Sequence, residues 1–298
     1  MSHSLEALQQ KIKSGKDLGS IVSTMKSLAA TSVMQYEQAV EALVKYYETI
    51  EMGLSVVLKD VSMTNGQPIE NKTTNTLLIV FGSDHSMVGR FNEQIVNYAI
   101  TDIKHELTSS QQQHIYYFSI GEQITNRFFS DKVHTSHQFE LPSSVLAITD
   151  AVLSVLSEVE KYQNQHQVND VLLVYNKPNK GASYQSTYEV LLPVDLNTLS
   201  KKGKKWKSNS IPTYHVDSQD LLSFLLRQYF FILIYRTFAH SLAAENAARL
   251  VSMQAAEKNI EELLHDLNIQ YQQARQTEIT DELLDIIAGF RSLRKSKD

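Results

Sequence analysis

Asp84 and His85 sit side by side in the loop FGSDHSMVGRFN, directly after TLLIVF (76–81), an unbroken apolar run of strand length. A carboxylate beside an imidazole is the pair that general acid–base chemistry uses. The end of a first strand is also where doubly wound folds bind dinucleotides. Neither chemistry is completed by the residues around the pair. No second carboxylate or nucleophile stands at a recognisable spacing, and G-x-S-x-G is absent. A cofactor site there needs G-x-G-x-x-G, so that backbone can approach a pyrophosphate at a helix N-terminus. Gly82 and Gly89 do not have that spacing, and no G-x-x-x-x-G-K-[ST] occurs. The loop's polar group is expected instead to cap the helix that follows.

Other candidates fall in the same way. His134 and His137 have an odd separation, which on a strand sends them to opposite faces, and no further ligand motif accompanies them. The chain has no cysteine, which removes disulfides, thiol catalysis and Cys-ligated metals. The run KKGKK (201–205), followed by Trp206, has the charge to meet a phosphate or lipid headgroup. Five residues around a glycine read rather as a solvated hairpin tip. We therefore expect no catalytic residue, no cofactor site and no metal.

The elements around these residues fall into three segments: a helix over 1–58, an α/β domain over 74–216 and a second helix over 217–298. Glycine and proline are absent from Ser20 to Met52 and again from Asp217 to Ala288. Unbroken, the second stretch would make a helix of roughly 108 Å. That length points to a coiled coil. In the first segment Val22, Met25, Ala29, Ser32, Tyr36, Ala39, Leu43, Tyr46 and Ile50 alternate steps of three and four, and Leu5, Leu8, Ile12, Gly15 and Gly19 extend the row upstream. A 3.5-residue period is the mark of a supercoiled partner. Ile260, Leu264, Leu267, Tyr271 and Ala274 form a matching row near the other end, resumed after a slip by Ile279, Leu283, Ile286 and Phe290. Two such rows most simply pair with each other, antiparallel. Gly15 and Gly19 lie on the seam, either as a local hinge or as places where two backbones approach closely.

Between the helices the period changes. HIYYFSI (114–120), DVLLVYN (170–176) and TYEVLLPV (187–194) read as further strands. FNEQIVNYAITDIKHEL (91–107), EQITNRFF and SSVLAITDAVLSVLSEVEKY (143–162) read as helices, the last with Ser143 or Ser144 as its cap. Such alternation predicts a mostly parallel sheet.

The formal charge of −5 argues against bulk nucleic-acid binding. MSHSLEALQQKIKS lacks the basic-then-apolar layout of a signal peptide. LLSFLLRQYFFILIYRTF (221–238) is interrupted by Arg227 and Arg236 and is expected to fall short of a membrane span. The expectation is a cytoplasmic chain.

One stretch is unusual for a surface helix. LAAENAARLVSMQAA (242–256) is dominated by alanine and has almost nothing bulky. With its flanks, YRTFAHSLAAENAARLVSMQAAEKN (235–259) resembles the S-x-x-S-E-x-A-A-R-x-x-A-M-x-x-A-x-x-N segment of the gamma subunits of F-type ATP synthases. The coincident residues are Glu245, Ala247, Ala248, Arg249, Met253, Ala256 and Asn259. YQQARQTEITDELLDIIAG (271–289) is similar to the family's R-Q-x-x-I-T-x-E-L-x-E-I-x-x-G at Arg275, Gln276, Ile279, Thr280, Glu282, Leu283, Ile286 and Gly289, with Asp285 in an acidic slot. The likeness begins at IKSGKDLGSIVSTMKSLAA (12–30) and runs nearly the whole chain. It departs at DHSMVGR, where the family has D-R-G-L-C-G-G, and at Phe290, where it has Ala. The opening is closer to the family's alternate N-type branch.

The resemblance implies a long antiparallel coiled coil of the N- and C-terminal helices with an inserted Rossmann-like α/β domain. It implies a central-stalk rotor that is itself non-catalytic and couples ion flow through a membrane ring to ATP synthesis or hydrolysis. The implied partners are three α and three β subunits per copy of this chain, a small epsilon-type stalk subunit and the membrane c-ring. Membrane association would be indirect, at the cytoplasmic face of the bacterial inner membrane. Arg275, Gln276, Thr280 and Glu282, with Met25 and Lys26 on the other helix, are the implied polar and apolar contacts to the α/β ring. Gly15, Gly19, Ala29, Glu245, Arg249 and Met253 are expected to pack the shaft. Alanine combines the highest helix propensity with a small radius, so the alanine-rich stretch is expected to thin the rod where it enters a ring of six subunits. A free-standing coiled-coil adaptor would explain the seams but not the R-Q-x-x-I-T-x-E run.

Overall fold

The computed structural model describes residues 2–61, 75–107, 114–179, 183–195, 199 and 212–295, and of residues 2–4, 60, 61, 107 and 289–295 only the backbone. KKGKK (201–205) and Trp206 lie outside the described residues, as does the Phe290 side chain. The chain divides into two compact units, Met1–Leu28 with Leu250–Asp298, and Ala29–Arg249.

Helix α1 is Ser2–Val61, and the last helix, α6, is Ser218–Lys295. The Asp217 carboxylate opens α6 by accepting the Gln219 and Asp220 amides at 2.9 and 3.4 Å, a side-chain N-cap for otherwise unpaired donors. Between these helices come β1 (Asn75–Phe81), α2 (Phe91–Asn97), a π-helical turn (Tyr98–Ile103), α3 (Lys104–Leu107), β2 (Ile115–Ile120), α4 (Glu122–Ser130), β3 (His137–Phe139), α5 (Ile148–His166), β4 (Val168–Pro178) and β5 (Tyr184–Leu192). Strand β3 is too short to show a period and is invisible in the sequence pattern. Helix α5 starts later than predicted, with Ala147 at the cap position and no side-chain cap bond. Ser144 contributes only its carbonyl, which accepts the Ala147 amide.

In the second unit the sheet order is β3-β2-β1-β4-β5, parallel except for β5. Strand side chains alternate between faces. Leu77, Ile79 and Phe81 join α5 residues Val152, Val155 and Val159 and α6 residues Leu233, Ile234 and Phe238 on one face. Leu78 and Val80 join Ile95, Val96, Ile124 and Phe128 on the other. Both faces are covered, which is why β1 reads as an unbroken apolar run. A third cluster pairs Ile50, Leu54, Val57 and Leu58 of α1 with Leu225 and Ile232 of α6. Tyr46 reaches Gln228, Tyr47 stacks on Tyr229 and Gly53, further along α1, lies against Leu225, earlier in α6, so α1 and α6 run antiparallel here. The predicted seam moves by one residue at this point, with Tyr46 exposed and Tyr47 packed inward.

Helix α6 contains an 18-residue window of mean hydropathy 1.3, long and apolar enough by composition to cross a membrane. Its Ile232, Leu233, Ile234 and Phe238 are buried in the second unit.

In the first unit the two helices are also antiparallel. A Cβ added to Gly15 would stand 2.8 Å from Leu264 Cδ2, and one on Gly19 would stand 3.5 Å from Ile260. Helix α1 is unbroken through both glycines. Of the two readings of Gly15, the hinge is therefore excluded, and what approaches the glycine is the movable end of a leucine side chain rather than a second backbone. Ile12, Val22 and Leu267 are buried on this seam. The resumed row is not: Ile279, Leu283 and Ile286 are about half exposed, at 48%, 56% and 56%. Ile279 falls one position past the partly covered Glu278, and from 282 to 288 every residue is exposed, because the antiparallel pairing of Gly15 with Leu264 and Gly19 with Ile260 brings the start of α1 opposite this end of α6.

Candidate functional site

The loop after β1 lies where the sheet order reverses, the crevice in which doubly wound folds bind ligands. In this chain its own side chains fill it. Asp84 does not cap the following helix, whose cap position is Arg90 with no side-chain cap bond. Its carboxylate reaches across to α4 instead, accepting the Glu122 amide at 2.9 Å and the Leu141 amide at 3.2 Å. At the α4 N-terminus, where a phosphate would need free donors, the Glu122 amide is thus engaged by the Asp84 carboxylate and the Gln123 amide by the Ser83 carbonyl. Asn92 bonds both the amide and the hydroxyl of Ser83. Gly121, at φ +107°, lets the Ser83 carbonyl come within 2.8 Å of where a Cβ would stand. His85 is exposed, as is His134, while His137 on β3 lies 3.7 Å from Glu158. Among the described residues no three His, Asp or Glu gather as a metal site would require.

The other end of this loop packs on α6. Val88 and Phe91 meet Ala244 and Ala248, and Tyr184 closes on the Phe91 ring edge at 5.3 Å. Ala243 faces the sheet, and Ala244, Ala247 and Ala248 are buried by this chain itself. The alanine reading is corrected for residues 242–248: small side chains there admit the α/β body against α6 and do not thin a surface facing other subunits. A helix covered all round needs such residues wherever neighbours approach from several sides. Glu245 lies in the same buried stretch, 2.6 Å from Arg249. Burial raises its carboxyl pKa, the Arg249 guanidinium opposes that rise, and the Asp84 charge adds to it. Ala29 and Met253 are buried as well.

A second polar cluster joins the sheet to the helices. Arg236 donates to both carboxylate oxygens of Glu189, at 3.1 and 2.9 Å, and lies over the Tyr47 ring at 5.2 Å. The Tyr175 hydroxyl donates to the same carboxylate. Burial works against the Arg236 charge, but Glu189 outweighs it and the pKa is raised. Sequence reading took Arg236 for an interruption. A lone charge in a long apolar run was the available signal for a buried pair.

His240, stacked on Tyr175, has its pKa pushed down to about 4, first by burial and then by Arg236 and Lys177, with Glu189 opposing. An unfolded imidazole titrates near 6.5. Between those values the unfolded chain binds more protons, so this contribution to stability is complete above about pH 6.5 and falls as pH drops toward 4. The expected loss by pH 5 is about 2 kcal/mol. Urea unfolding of the wild type and His240→Gln at pH 7.5 and 5 checks it. The variant should lose distinctly less stability between the two, and equal losses would refute the assignment.

The residues implied as ring contacts lie in the first unit. Arg275, Gln276, Thr280 and Glu282 are exposed on α6, with the Thr280 hydroxyl bonded to the Gln276 carbonyl. Beside them Leu283, Leu284, Ile286 and Ile287 are about half exposed. Met25 is half-buried, and Lys26 pairs with Glu257 of α6 at 2.5 Å. The structure thus places the α6 group together on one bare stretch of helix, while Lys26 is already engaged within the helix pair.

The ATP synthase family model matches residues 4–293. The ATP synthase gamma chain of Lactococcus lactis subsp. cremoris is 26% identical over 299 residues, covering 98% of this chain and 100% of the relative. That of Staphylococcus aureus is 27% identical over 298 residues, covering 97% and 99%. Among solved structures, a chain of the Euglena gracilis mitochondrial ATP synthase OSCP/F1/c-ring assembly superposes with a TM-score of 0.60 at 15% identity, covering 100% of this chain and 97% of that one. A chain of the Tetrahymena thermophila central stalk and c-ring gives 0.53 at 18%, covering 79% and 99%. Agreement from end to end with gamma chains, in sequence and in fold, leaves one assignment: the chain belongs to the ATP synthase gamma-chain family.

Proposed function

We propose that this chain is the central rotor of a rotary ATPase and performs no chemistry itself. Coupling is then a difference in contact energy: the rotor touches the three catalytic β subunits differently, and each prefers a different nucleotide state. The observation that carries the reading is the end-to-end match to gamma chains, joined to the bare stretch of α6 from Arg275 to Ile287. Its exposed polar and apolar groups are of the kind that many modest, reversible contacts require. Arg275, Gln276, Thr280 and Glu282 face a catalytic-subunit loop in this proposal, with Met25 and Lys26 contributing from α1. The α/β domain meets a small epsilon-type subunit and the membrane ring, which holds the chain peripherally at the cytoplasmic face of the bacterial inner membrane. A free-standing adaptor offers no account of gamma-chain relatives matched along their whole length.

The test is co-expression with the α and β subunits of the same organism, sizing of the product and assay of Mg-ATP hydrolysis. A complex of three α, three β and one copy of this chain, active only when it is present, is expected. A chain that stays alone beside soluble α and β would end the rotor reading. Within that complex, Arg275→Ala combined with Gln276→Ala should lower turnover roughly 3- to 10-fold, about 1 kcal/mol of lost coupling contact. The chain's circular dichroism should be unchanged. Unaltered turnover would remove these two residues from the contact set.

A further inference from the structure

The β1–α2 loop is pinned at one end and keyed at the other. At the pinned end the Asp84 carboxylate holds the amides of Glu122 and Leu141, and its carbonyl accepts the Gln123 side chain at 3.3 Å. These bonds tie β1 to both α4 and the segment after β3. Ser83 adds bonds to Asn92, to the Gln123 amide and to the His85 carbonyl. At the keyed end the fully buried Phe91 ring and Val88 seat on Ala244 and Ala248. Those alanines are one helical turn apart and leave a notch in the α6 surface. The larger Glu245 and Arg249 stand in the neighbouring row, joined to each other. A ring seated in such a notch resists both sliding along the helix and turning about it, because interiors are packed too densely to give way gradually.

We propose that this loop is a rigid joint through which the α/β body and α6 bear load on each other, and that Asp84 is a positioning residue for coupling because it fixes the key in the notch. The inference rests on the rotor reading above. It assigns a role to residues that touch no other subunit in that reading, and it explains why a carboxylate occupies the crevice.

The chain contains no cysteine, so Val88→Cys with Ala248→Cys introduces one clean pair. The experiment uses membrane vesicles carrying the whole complex. It records ATP hydrolysis together with the ATP-driven membrane potential, read with a potential-sensitive dye so that either pumped ion is detected. Oxidation should form the disulfide and leave hydrolysis and potential at their reduced-state values, because a rigid joint loses nothing when locked. Asp84→Ala should keep hydrolysis within about two-fold of wild type while the potential generated per ATP falls at least three-fold. That ratio does not depend on how much complex survives, so a merely structural role would not move it. Asp84→Asn, which keeps one acceptor oxygen, should fall between.

Failure of the disulfide to form, loss of turnover on oxidation with recovery on reduction, or an unchanged ratio in both Asp84 variants would each overturn the proposal. If the unsubstituted vesicles hydrolyse ATP equally well without this chain, the rotor reading itself fails. That outcome is separate because it appears before any substitution is made.

Discussion

Gly121→Ala should lower the stability of the purified chain by roughly 4 kcal/mol, the combined effect of a glycine-only backbone conformation and an unyielding clash. Gly121 has φ +107° and ψ 143°, outside the regions that L side chains occupy. An added Cβ would also stand 2.8 Å from the Ser83 carbonyl oxygen and 2.9 Å from its carbon. Those are backbone atoms of the loop that follows β1, held by the Gln123 amide and by Asn92, so they cannot retreat as a side-chain tip could. The strain therefore spreads to the α4 N-terminus and to Asp84. Thermal melting should show the loss directly. Gly53→Ala is the control: its Cβ would meet only the Leu225 methyls at 3.4 Å, and the change should stay within about 1 kcal/mol. If the two variants melt together, the backbone argument is wrong.

Arg236→Ala should cost roughly 3 kcal/mol, since it leaves the Glu189 carboxylate and the Tyr175 hydroxyl in a poorly hydrated place without their cation. The Arg236 and Glu189 side chains are only 29% and 27% exposed, so solvent screens the pair weakly. Tyr47 would also lose the guanidinium above its ring. The informative comparison is the double variant Arg236→Leu with Glu189→Leu, which removes both charges and should recover a substantial part of the loss. That recovery separates the penalty of a stranded charge from the net worth of the pair. A double variant no more stable than Arg236→Ala would mean that the cluster acts through packing alone. The cluster draws on β4, β5, α1 and α6, so its loss should loosen the attachment of the helices to the sheet before it melts the sheet.

The long helices and the first strand were legible in the sequence because their signals are local. Absence of glycine and proline, a 3.5-residue apolar period and an unbroken apolar run each reflect a requirement met within a few turns or one strand. Ile12, Val22, Ala29 and Leu267 accordingly lie buried where the period puts them. The resemblance of 271–289 to gamma chains was likewise a matter of spacing along one helix.

What the residues pack against was decided by the tertiary structure. The alanines of 242–248 have the same composition whether they thin a shaft or receive Phe91, and only the fold puts Phe91 there. Ile279, Leu283 and Ile286 keep a seam-like spacing yet stay exposed, because the pairing set at Gly15–Leu264 and Gly19–Ile260 runs α1 out to its first residues opposite this stretch and 282–288 are bare on every side. Asp84 caps a helix that starts 38 residues later, Arg236 finds Glu189 at 47 residues' separation, and β3 gains its pairing only from β2. Local propensity carries no information about such partners. They exist because the order β3-β2-β1-β4-β5 brings distant segments to one crevice and one face, where burial makes an unpaired charge or an added methyl costly enough to fix each choice.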